Sequence, residues 1–312
     1  MPDVTEYPWI AVSGYGAHIK STPNTLIIQK KNTVEEYPIT MVKNLLVVGG
    51  HTLHSSAVLN LIRHGACVSF FEADGTPSGT IRPPGDRDQA AMYDLQKAVP
   101  RQRFATSLAR TSLQARLIVI EKEEEQKKIS LFYEGELDFL RNSREELAFL
   151  IKLDEIRRLH RLVSDMYYEI MSRNLPPELG FRRRGSRPHT DPVNAMLSFG
   201  YAMLFGNCMV ACIGARLDPD DGLLHDGKNS LVHDLIDPLK PGMVDTTVFR
   251  IAREHLHEED YELTPGRCIL SDDLVREITR QLHTTINAEG INRQVLDLAE
   301  AIRTGSEFTV RY

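Results

Sequence analysis

The chain has 312 residues, 42% of them hydrophobic, and a formal net charge of −6. That length is enough for two ordinary domains, and the acidic balance argues against a protein that coats nucleic acid indiscriminately, although it leaves room for a local basic groove. The first residues lack the pattern of a signal peptide and no apolar run is expected to span a membrane, so we expect a cytoplasmic protein without a membrane partner.

Residues 9–82 predict a small β-rich domain. Short β-branched or aromatic runs are separated there by Gly, Pro or Asn, and one short helix is expected at residues 55–65, with serine caps at its start and a glycine at its end. The stiff segment 82–87 is the best candidate for a boundary. We therefore predict a β-rich domain over residues 1–84 and a second domain over residues 85–312.

The second domain is predicted to be α-helical. Apolar residues recur every three or four positions from residue 90 to about 128, with a break near Pro100. A capping-box pattern at residues 143–146 predicts a helix from about 144 to 173. The helix after Asp191 and Pro192 is apolar nearly all round, so we expect it in the core. The expected fold class is α+β, a small β-rich domain followed by a larger all-α domain.

A loop before that apolar helix is rich in arginine. Arg182, Arg183, Arg184 and Arg187 stand among Gly and Pro residues. Guanidinium groups on a loop suit phosphate oxygens, and a plain solvated surface is an equally good interpretation of the same pattern.

Residues 222–237 place an imidazole and two carboxylates in one short stretch. His225 is expected in a loop, and Asp234 and Asp237 lie three residues apart, where a helix would point both to one side. Such groups could hold a hard or borderline divalent metal ion.

Residues 187–204, 217–225 and 230–241 form three consecutive motifs. Together they resemble the CRISPR-associated spacer integrase family in order and spacing. That family supplies the metal-dependent DNA endonuclease and integrase subunit of prokaryotic adaptive immunity. The resemblance implies a small N-terminal β domain that dimerises and a larger helical domain that carries the metal site.

The resemblance also implies a mechanism and partners. His225, Asp234 and Asp237 would be catalytic, and a divalent ion, Mn²⁺ or Mg²⁺, would lower the pKa of a water or of a DNA 3′-hydroxyl and neutralise charge on the attacked phosphodiester. Lys228 would pair with a phosphate, and the arginine loop would hold the DNA backbone without reading its sequence. The expected partners are double-stranded DNA, a second copy of this chain and the small second CRISPR-associated integration subunit.

The sequence departs from the family at one metal ligand. The family has a glutamate seven residues ahead of an aromatic pair, and counting back from Tyr167 and Tyr168 leads to His160. No acidic residue shares the helix face of His160, so the predicted metal ligands are His160, His225 and Asp237. Such a site has one negative charge fewer and should favour ions that tolerate nitrogen over Mg²⁺.

Two other functions stay open on the sequence alone. If His160 cannot replace the glutamate, the chain would be a catalytically weakened or silent DNA-binding scaffold, which binds duplex DNA in a salt-dependent way but joins no strands in any metal. An unrelated metal hydrolase of small substrates would instead need a deep apolar pocket beside the site.

Overall fold

The computed structural model describes residues 7–31 and 33–309. A β-sheet region is followed by helices, which confirms the α+β class. The chain divides into two compact units: one comprises the residues up to Val99 together with Phe205–Asp221 and Ile291–Glu307, and the other comprises Pro100–Leu204, Gly222–Gly290 and the residues from Phe308 onward. Each unit is thus built from separate stretches, and the boundary between residues 84 and 85 stays a prediction.

The first unit contains a six-stranded sheet in the order β3-β2-β1-β4-β5-β6. Its strands are β1 (Trp9–Ser21), β2 (Thr25–Lys30), β3 (Thr33–Pro38), β4 (Asn44–Leu53), β5 (Cys67–Phe71) and β6 (Pro77–Ile81). The central strand β4 is parallel to β1 and to β5, and the other neighbouring strands are antiparallel. The parallel step from β4 to β5 passes through the helix α1 (Ser55–Arg63), as a parallel connection requires.

The first half of strand β4, residues 44–48, is buried on both of its faces. Leu45 and Val47 belong to one hydrophobic core, and Leu46 and Val48 belong to another, which also contains Trp9. A strand covered on both faces has no polar side, which is why its sequence shows a continuous apolar run.

Helix α1 confirms the helix predicted for this region but not its cap. The residue at the N-cap is His54, whose side chain makes no capping hydrogen bond, and Ser55 is already helical. The expectation of serine caps was therefore wrong. Beyond the helix, Gly65 has a φ of 80°, a left-handed conformation that glycine adopts without strain.

Helix α2 (Asp88–Ala98) completes the N-terminal part of the first unit, and the predicted break at Pro100 separates it from α3 (Arg101–Lys127). The remaining helices are α4 (Glu136–Glu146), α5 (Leu153–Ser172), α6 (Pro192–Gly214), α7 (Ser230–Ile236), α8 (Thr246–Glu254), α9 (Asp272–Thr285) and α10 (Ala288–Thr304). A π-helical turn, Pro241–Asp245, joins the end of the α7 region to α8, and a hairpin of β7 (Tyr261–Leu263) and β8 (Cys268–Leu270) precedes α9.

The predicted helix over residues 144–173 is wrong at its start. Ser143 is buried inside α4, and α5 begins only at Leu153. Between the two helices the carbonyl of Leu150 accepts a hydrogen bond of 2.8 Å from Gln102 Nε2, and Lys152 has extended backbone. These features lie between the end of α4 and the start of α5, so the capping-box pattern did not mark a helix start.

Helix α5 buries one face along its whole length. The buried residues recur every three or four positions and are Ile156, His160, Val163, Tyr167, Tyr168, Ile170 and Met171. The face packs against α3. His160 is thus a polar member of an otherwise apolar or aromatic stripe, which brings its imidazole into the interior of the second unit.

Helix α6 has no charged residue along its length, and by length and composition it is apolar enough to cross a membrane. The expectation that no apolar run reaches that length was therefore wrong. In the structure half of its most apolar window is buried, and Met196, Leu197 and Leu204 have no exposed surface. Its burial is that of a core helix, as its all-round apolar pattern predicts.

Candidate active site

The buried carboxylate of Asp234 organises the loop that carries His225. Asp234 lies on α7, is 1% exposed, and accepts hydrogen bonds from the backbone N–H groups of Leu223, Leu224 and His225 at 2.5, 3.0 and 2.8 Å. Successive N–H groups that converge on one carboxylate fix the course of a loop. A side chain at Gly222 would lie 2.5 Å from the carbonyl oxygen of His225, so the turn requires glycine there.

His225 is paired with the same carboxylate. Its Nδ1 lies 2.7 Å from Asp234 Oδ1, and the side chain is 40% exposed. Burial alone lowers the pKa of His225, but the hydrogen bond and the charge of Asp234 outweigh it, so the pKa is raised from its ordinary value of 6.5. The buried Asp234 carboxylate thus holds the Nδ1 atom of His225, and the rest of the imidazole ring reaches the surface.

Asp237, at the end of α7, is buried among basic side chains. Its carboxylate lies 3.2 Å from Arg116 Nη2 and 3.0 Å from Lys240 Nζ, and it also accepts a hydrogen bond from the Ser112 hydroxyl. Burial alone would raise the pKa of Asp237, but the charges of Arg116 and Lys240 hold it well below its usual range. Asp237 is therefore an ionised carboxylate with two resident cations.

His160 meets Asp237 from α5. Its Nε2 lies 2.7 Å from Asp237 Oδ2, and its ring is edge-on to that of His225, with 5.9 Å between the ring centroids. Burial lowers the pKa of His160, and the charge of Asp237 only partly opposes this effect. The structure thus brings His160, His225 and Asp237 into one region, with Asp234 behind His225.

A divalent ion does not fit these residues in the arrangement described. Two imidazoles and a carboxylate are suitable donors for a borderline ion, but both oxygens of Asp237 already contact Arg116. Within residues 7–31 and 33–309, no group of three or more His, Cys, Asp or Glu side chains is arranged to hold a metal. Metal binding would require Asp237 to exchange a cationic partner for the ion, and the ligand set His160, His225 and Asp237 stays a prediction.

Three residues at Asp237 were not found by sequence reasoning. Ser112 and Arg116 lie one helical turn apart on α3, and both are buried, with the Ser112 hydroxyl accepting a hydrogen bond from Arg116. Two polar residues at this spacing on the buried face of a helix are a signal that could have been noticed. Lys240 follows Asp237 by three residues, within reach on the continuing helical turn.

A third buried acid, Asp245, lies in a cluster of tyrosines close to these residues. Tyr201 donates a 2.5 Å hydrogen bond to Asp245 Oδ1, and the hydroxyls of Tyr168 and Tyr201 are 2.6 Å apart. Burial raises the pKa of Asp245. The Lys240 ammonium lies 5.2 Å from the centre of the Tyr201 ring, so this cluster packs against one of the cations on Asp237. Sequence reasoning missed Asp245 as well.

The arginine loop separates into one internal and three external arginines. Arg184 donates to Asn194 Oδ1 at 2.6 Å and to Ser198 Oγ at 3.0 Å, and its guanidinium lies 5.2 Å from the centre of the Tyr201 ring. The other predicted DNA-binding residues are exposed, namely Arg182, Arg183, Arg187 and Lys228. Arg184 therefore fastens the loop to α6, and the remaining arginines face solvent.

Comparison with known proteins connects this arrangement to one family. The family model described as CRISPR associated protein Cas1 matches residues 10–284. Among curated relatives, a protein of Methanospirillum hungatei JF-1 assigned as a CRISPR-associated endonuclease, Cas1 2, is 38% identical over 300 residues, which cover 96% of this chain and 99% of the relative.

Solved structures share the fold at lower identity. A casposase bound to an integration product matches with a TM-score of 0.84 at 19% identity, covering 97% of this chain and 99% of the casposase chain. A chain of a partial Cas6-RT-Cas1–Cas2 complex matches with a TM-score of 0.80 at 17% identity, covering 98% and 99%. At these identities the likeness concerns the fold.

Proposed function

Because the chain belongs to the family of CRISPR associated protein Cas1, we propose that it is a DNA endonuclease and integrase that joins short DNA fragments into a CRISPR array. The observation that carries the proposal is the pairing of His225 with the buried Asp234 carboxylate at 2.7 Å. A surface imidazole held by a buried carboxylate is an arrangement suited to proton transfer.

The pairing of His225 with Asp234 gives a different role to each of the two imidazole nitrogens. Because Nδ1 faces Asp234, it carries the ring proton, and Nε2 is left to accept another. Nε2 takes the proton of a DNA 3′-hydroxyl as its oxygen forms a bond to the attacked phosphorus. The existing phosphorus–oxygen bond breaks, the leaving oxygen takes a proton from water, and the imidazolium of His225 later returns its extra proton to the solvent. With water in place of the 3′-hydroxyl, the same steps give hydrolysis.

The basic side chains would bind the DNA backbone. Arg182, Arg183 and Arg187 face solvent on the arginine loop, and Lys228 is exposed on the loop of His225. Contacts of this kind hold phosphates without reading the bases and weaken as the salt concentration rises.

We further propose two protein partners. One is a second copy of this chain, bound through the β-rich region, and the other is the small second integration subunit of the CRISPR system. The naming of one fold neighbour as part of a Cas1–Cas2 complex, and of another as a casposase bound to an integration product, supports a chain that works on DNA in an assembly.

A strand-joining assay tests the proposed function. The protein is mixed with the second subunit, a short duplex with free 3′-hydroxyls and a target duplex. We expect His225→Ala to lower the joining rate by about 100-fold or more, because general-base catalysis contributes that much. His255→Ala removes an exposed histidine remote in sequence and serves as the matched control.

Two results would overturn the proposal. If His225→Ala joins DNA at the wild-type rate, the imidazole takes no part in the reaction. Salt-dependent DNA binding by the wild-type chain, with no joining or cleavage in any divalent metal, would instead identify a silent DNA-binding subunit.

A further inference from the structure

Arg157 connects the helix of His160 to the loop of His225. It lies one turn before His160 on α5, and its Nε donates a 2.5 Å hydrogen bond to the carbonyl oxygen of Leu224, the residue before His225. Its two terminal nitrogens each lie 2.7 Å from a different oxygen of Asp226, the residue after His225. One guanidinium thus contacts both neighbours of the imidazole residue.

The Arg157 guanidinium binds the Asp226 carboxylate through two nitrogens, which is a specific geometry. Two parallel bonds from a guanidinium to a carboxylate define both distance and orientation, which a lysine at the same position cannot do. The Arg157 side chain is 22% exposed and its bond to the buried Leu224 is shielded from water, whereas Asp226 is 68% exposed and its pair with Arg157 lies at the surface. Its third partner, Asp154, is 94% exposed at 3.4 Å and adds little.

The loop is held from two sides that use different backbone groups. The Asp234 carboxylate accepts hydrogen bonds from the N–H groups of residues 223 to 225. Arg157 donates a hydrogen bond to the carbonyl oxygen of Leu224 and forms an ion pair with Asp226. Helix α7 therefore fixes the backbone N–H groups around His225, and helix α5 fixes the backbone carbonyl group of Leu224. If the contact from α5 is lost, the loop keeps its contacts from α7 and a 2.9 Å hydrogen bond from Arg101 on α3 to the carbonyl oxygen of Gly222, but Leu224 and Asp226 lose their hydrogen bonds to α5.

We infer that Arg157 is a positioning residue that holds the His225 loop against α5 and keeps the imidazole in register with His160 and Asp237. The catalytic part of this inference rests on the proposed function. A displacement of about 1 Å in a reacting group lowers a rate by roughly 100-fold, so the loss of Arg157 should lower the reaction rate far more than the DNA affinity.

Amide hydrogen exchange tests the structural part without any activity. In the wild-type chain the amide protons of residues 223–225 should exchange slowly, because each donates to buried Asp234. Arg157→Ala should speed their exchange by about 10-fold or more while the thermal midpoint of the second unit changes little. Arg158→Ala removes the same charge from the next, exposed position of α5 and should leave these rates unchanged.

Joining kinetics test the catalytic part. Arg157→Ala should lower the joining rate at saturating DNA by roughly 100-fold with DNA affinity within a few-fold of wild type, and millimolar guanidinium should restore part of the rate. Arg157→Lys should stay impaired, because it cannot bind Asp226 through two nitrogens. Asp226→Ala should show part of the same loss, and adding it to Arg157→Ala should lower the rate no further.

The outcomes separate the two proposals. Equal exchange in Arg157→Ala and wild type, or a change in DNA affinity with an unchanged saturated rate, would overturn the positioning role. If the wild-type chain joins no DNA, the proposed function fails, and the exchange rates of residues 223–225 still decide whether Arg157 holds the loop.

Discussion

The Asp237 carboxylate contacts two cations and an imidazole, and this decides how the site responds to single substitutions. Asp237→Asn would leave the buried Arg116 without its carboxylate and should lower the free energy of unfolding by about 3–5 kcal/mol. Arg116→Met should lower it by less, because Lys240 still pairs with Asp237 at 3.0 Å. Urea unfolding of both variants checks this order, and a larger loss in Arg116→Met would contradict it.

His160 provides a separate prediction about metal preference. His160→Glu adds a carboxylate beside Asp237 and should tighten the binding of Mn²⁺ and, more strongly, of Mg²⁺, because oxygen ligands suit the harder ion. Electron paramagnetic resonance of Mn²⁺, with Mg²⁺ as competitor, measures both affinities without an activity assay. Arg161→Gln changes the net charge by the same amount at an exposed neighbour and is the control. If metal affinity rises equally in both variants, the change in net charge explains the effect and position 160 does not provide a metal ligand.

Individual residues of the site differ in how far the sequence could predict them. His225, Asp234 and Asp237 share one short stretch, and His160 could be located by counting from the Tyr167–Tyr168 pair. Arg116 is 121 residues from Asp237, and the packing of α3 against the π-helical turn that follows Asp237 brings the two together. The separate role of Asp234, which holds the loop through backbone N–H groups, also depended on the folded course of that loop.

At the scale of elements, the arginine loop combines an anchor with exposed charges. Arg183→Ala should reduce the slope of log affinity against log salt concentration by about 1, because it removes one phosphate contact. Arg184→Ala should instead lower the free energy of unfolding by about 1–3 kcal/mol, since it removes charged hydrogen bonds to Asn194 and Ser198. DNA titrations over a salt series, with urea unfolding of the same two variants, check the division. The division is contradicted if Arg184→Ala, and not Arg183→Ala, changes the slope of log affinity against log salt concentration.

The ends of two helices are joined by an ion pair that depends on pH. Glu136 in the first turn of α4 lies 2.6 Å from Arg173 at the end of α5, and the hydrogen bond from Arg173 lowers the pKa of Glu136 from 4.5. Because the folded pKa is the lower one, the contribution of this pair is complete above pH 4.5 and is lost as the pH falls towards the folded value.

Glu136→Gln should therefore destabilise the protein near pH 7, by about 1 kcal/mol, and the difference from wild type should shrink below pH 4.5. Unfolding by urea at a series of pH values measures it. Glu134→Gln, two residues earlier at an exposed position, is the control. A difference from wild type that grows in acid would contradict the assignment.

Elements were predictable where periodicity was strong and not where a tertiary contact sets a boundary. The strands, α1, the break at Pro100 and the apolar α6 follow from local patterns. The start of α5 does not, because the side chain of Gln102 on another helix binds the carbonyl that precedes it. A local capping signal loses to such a contact when the distant partner is fixed by its own helix.

For the whole molecule, the sequence predicts the class and the order of the two regions but not the composition of the units. Patterns along the chain indicate β structure before helices. They carry no information that residues 205–221 and 291–307 complete the first unit, because those segments are helical or irregular like their neighbours. Which helix joins which unit is decided by shape and side-chain fit, not by periodicity.

The divided composition of the first unit sets the order in which it can form during protein synthesis. One face of its sheet, with Trp9, Leu46 and Phe71, is packed by Val210 and Leu296. Those residues leave the ribosome long after the strands do. At about 5–20 residues per second, the apolar face waits roughly 10–40 s or more before its last covering helix appears. The apolar face of the N-terminal sheet therefore needs protection from aggregation during that interval.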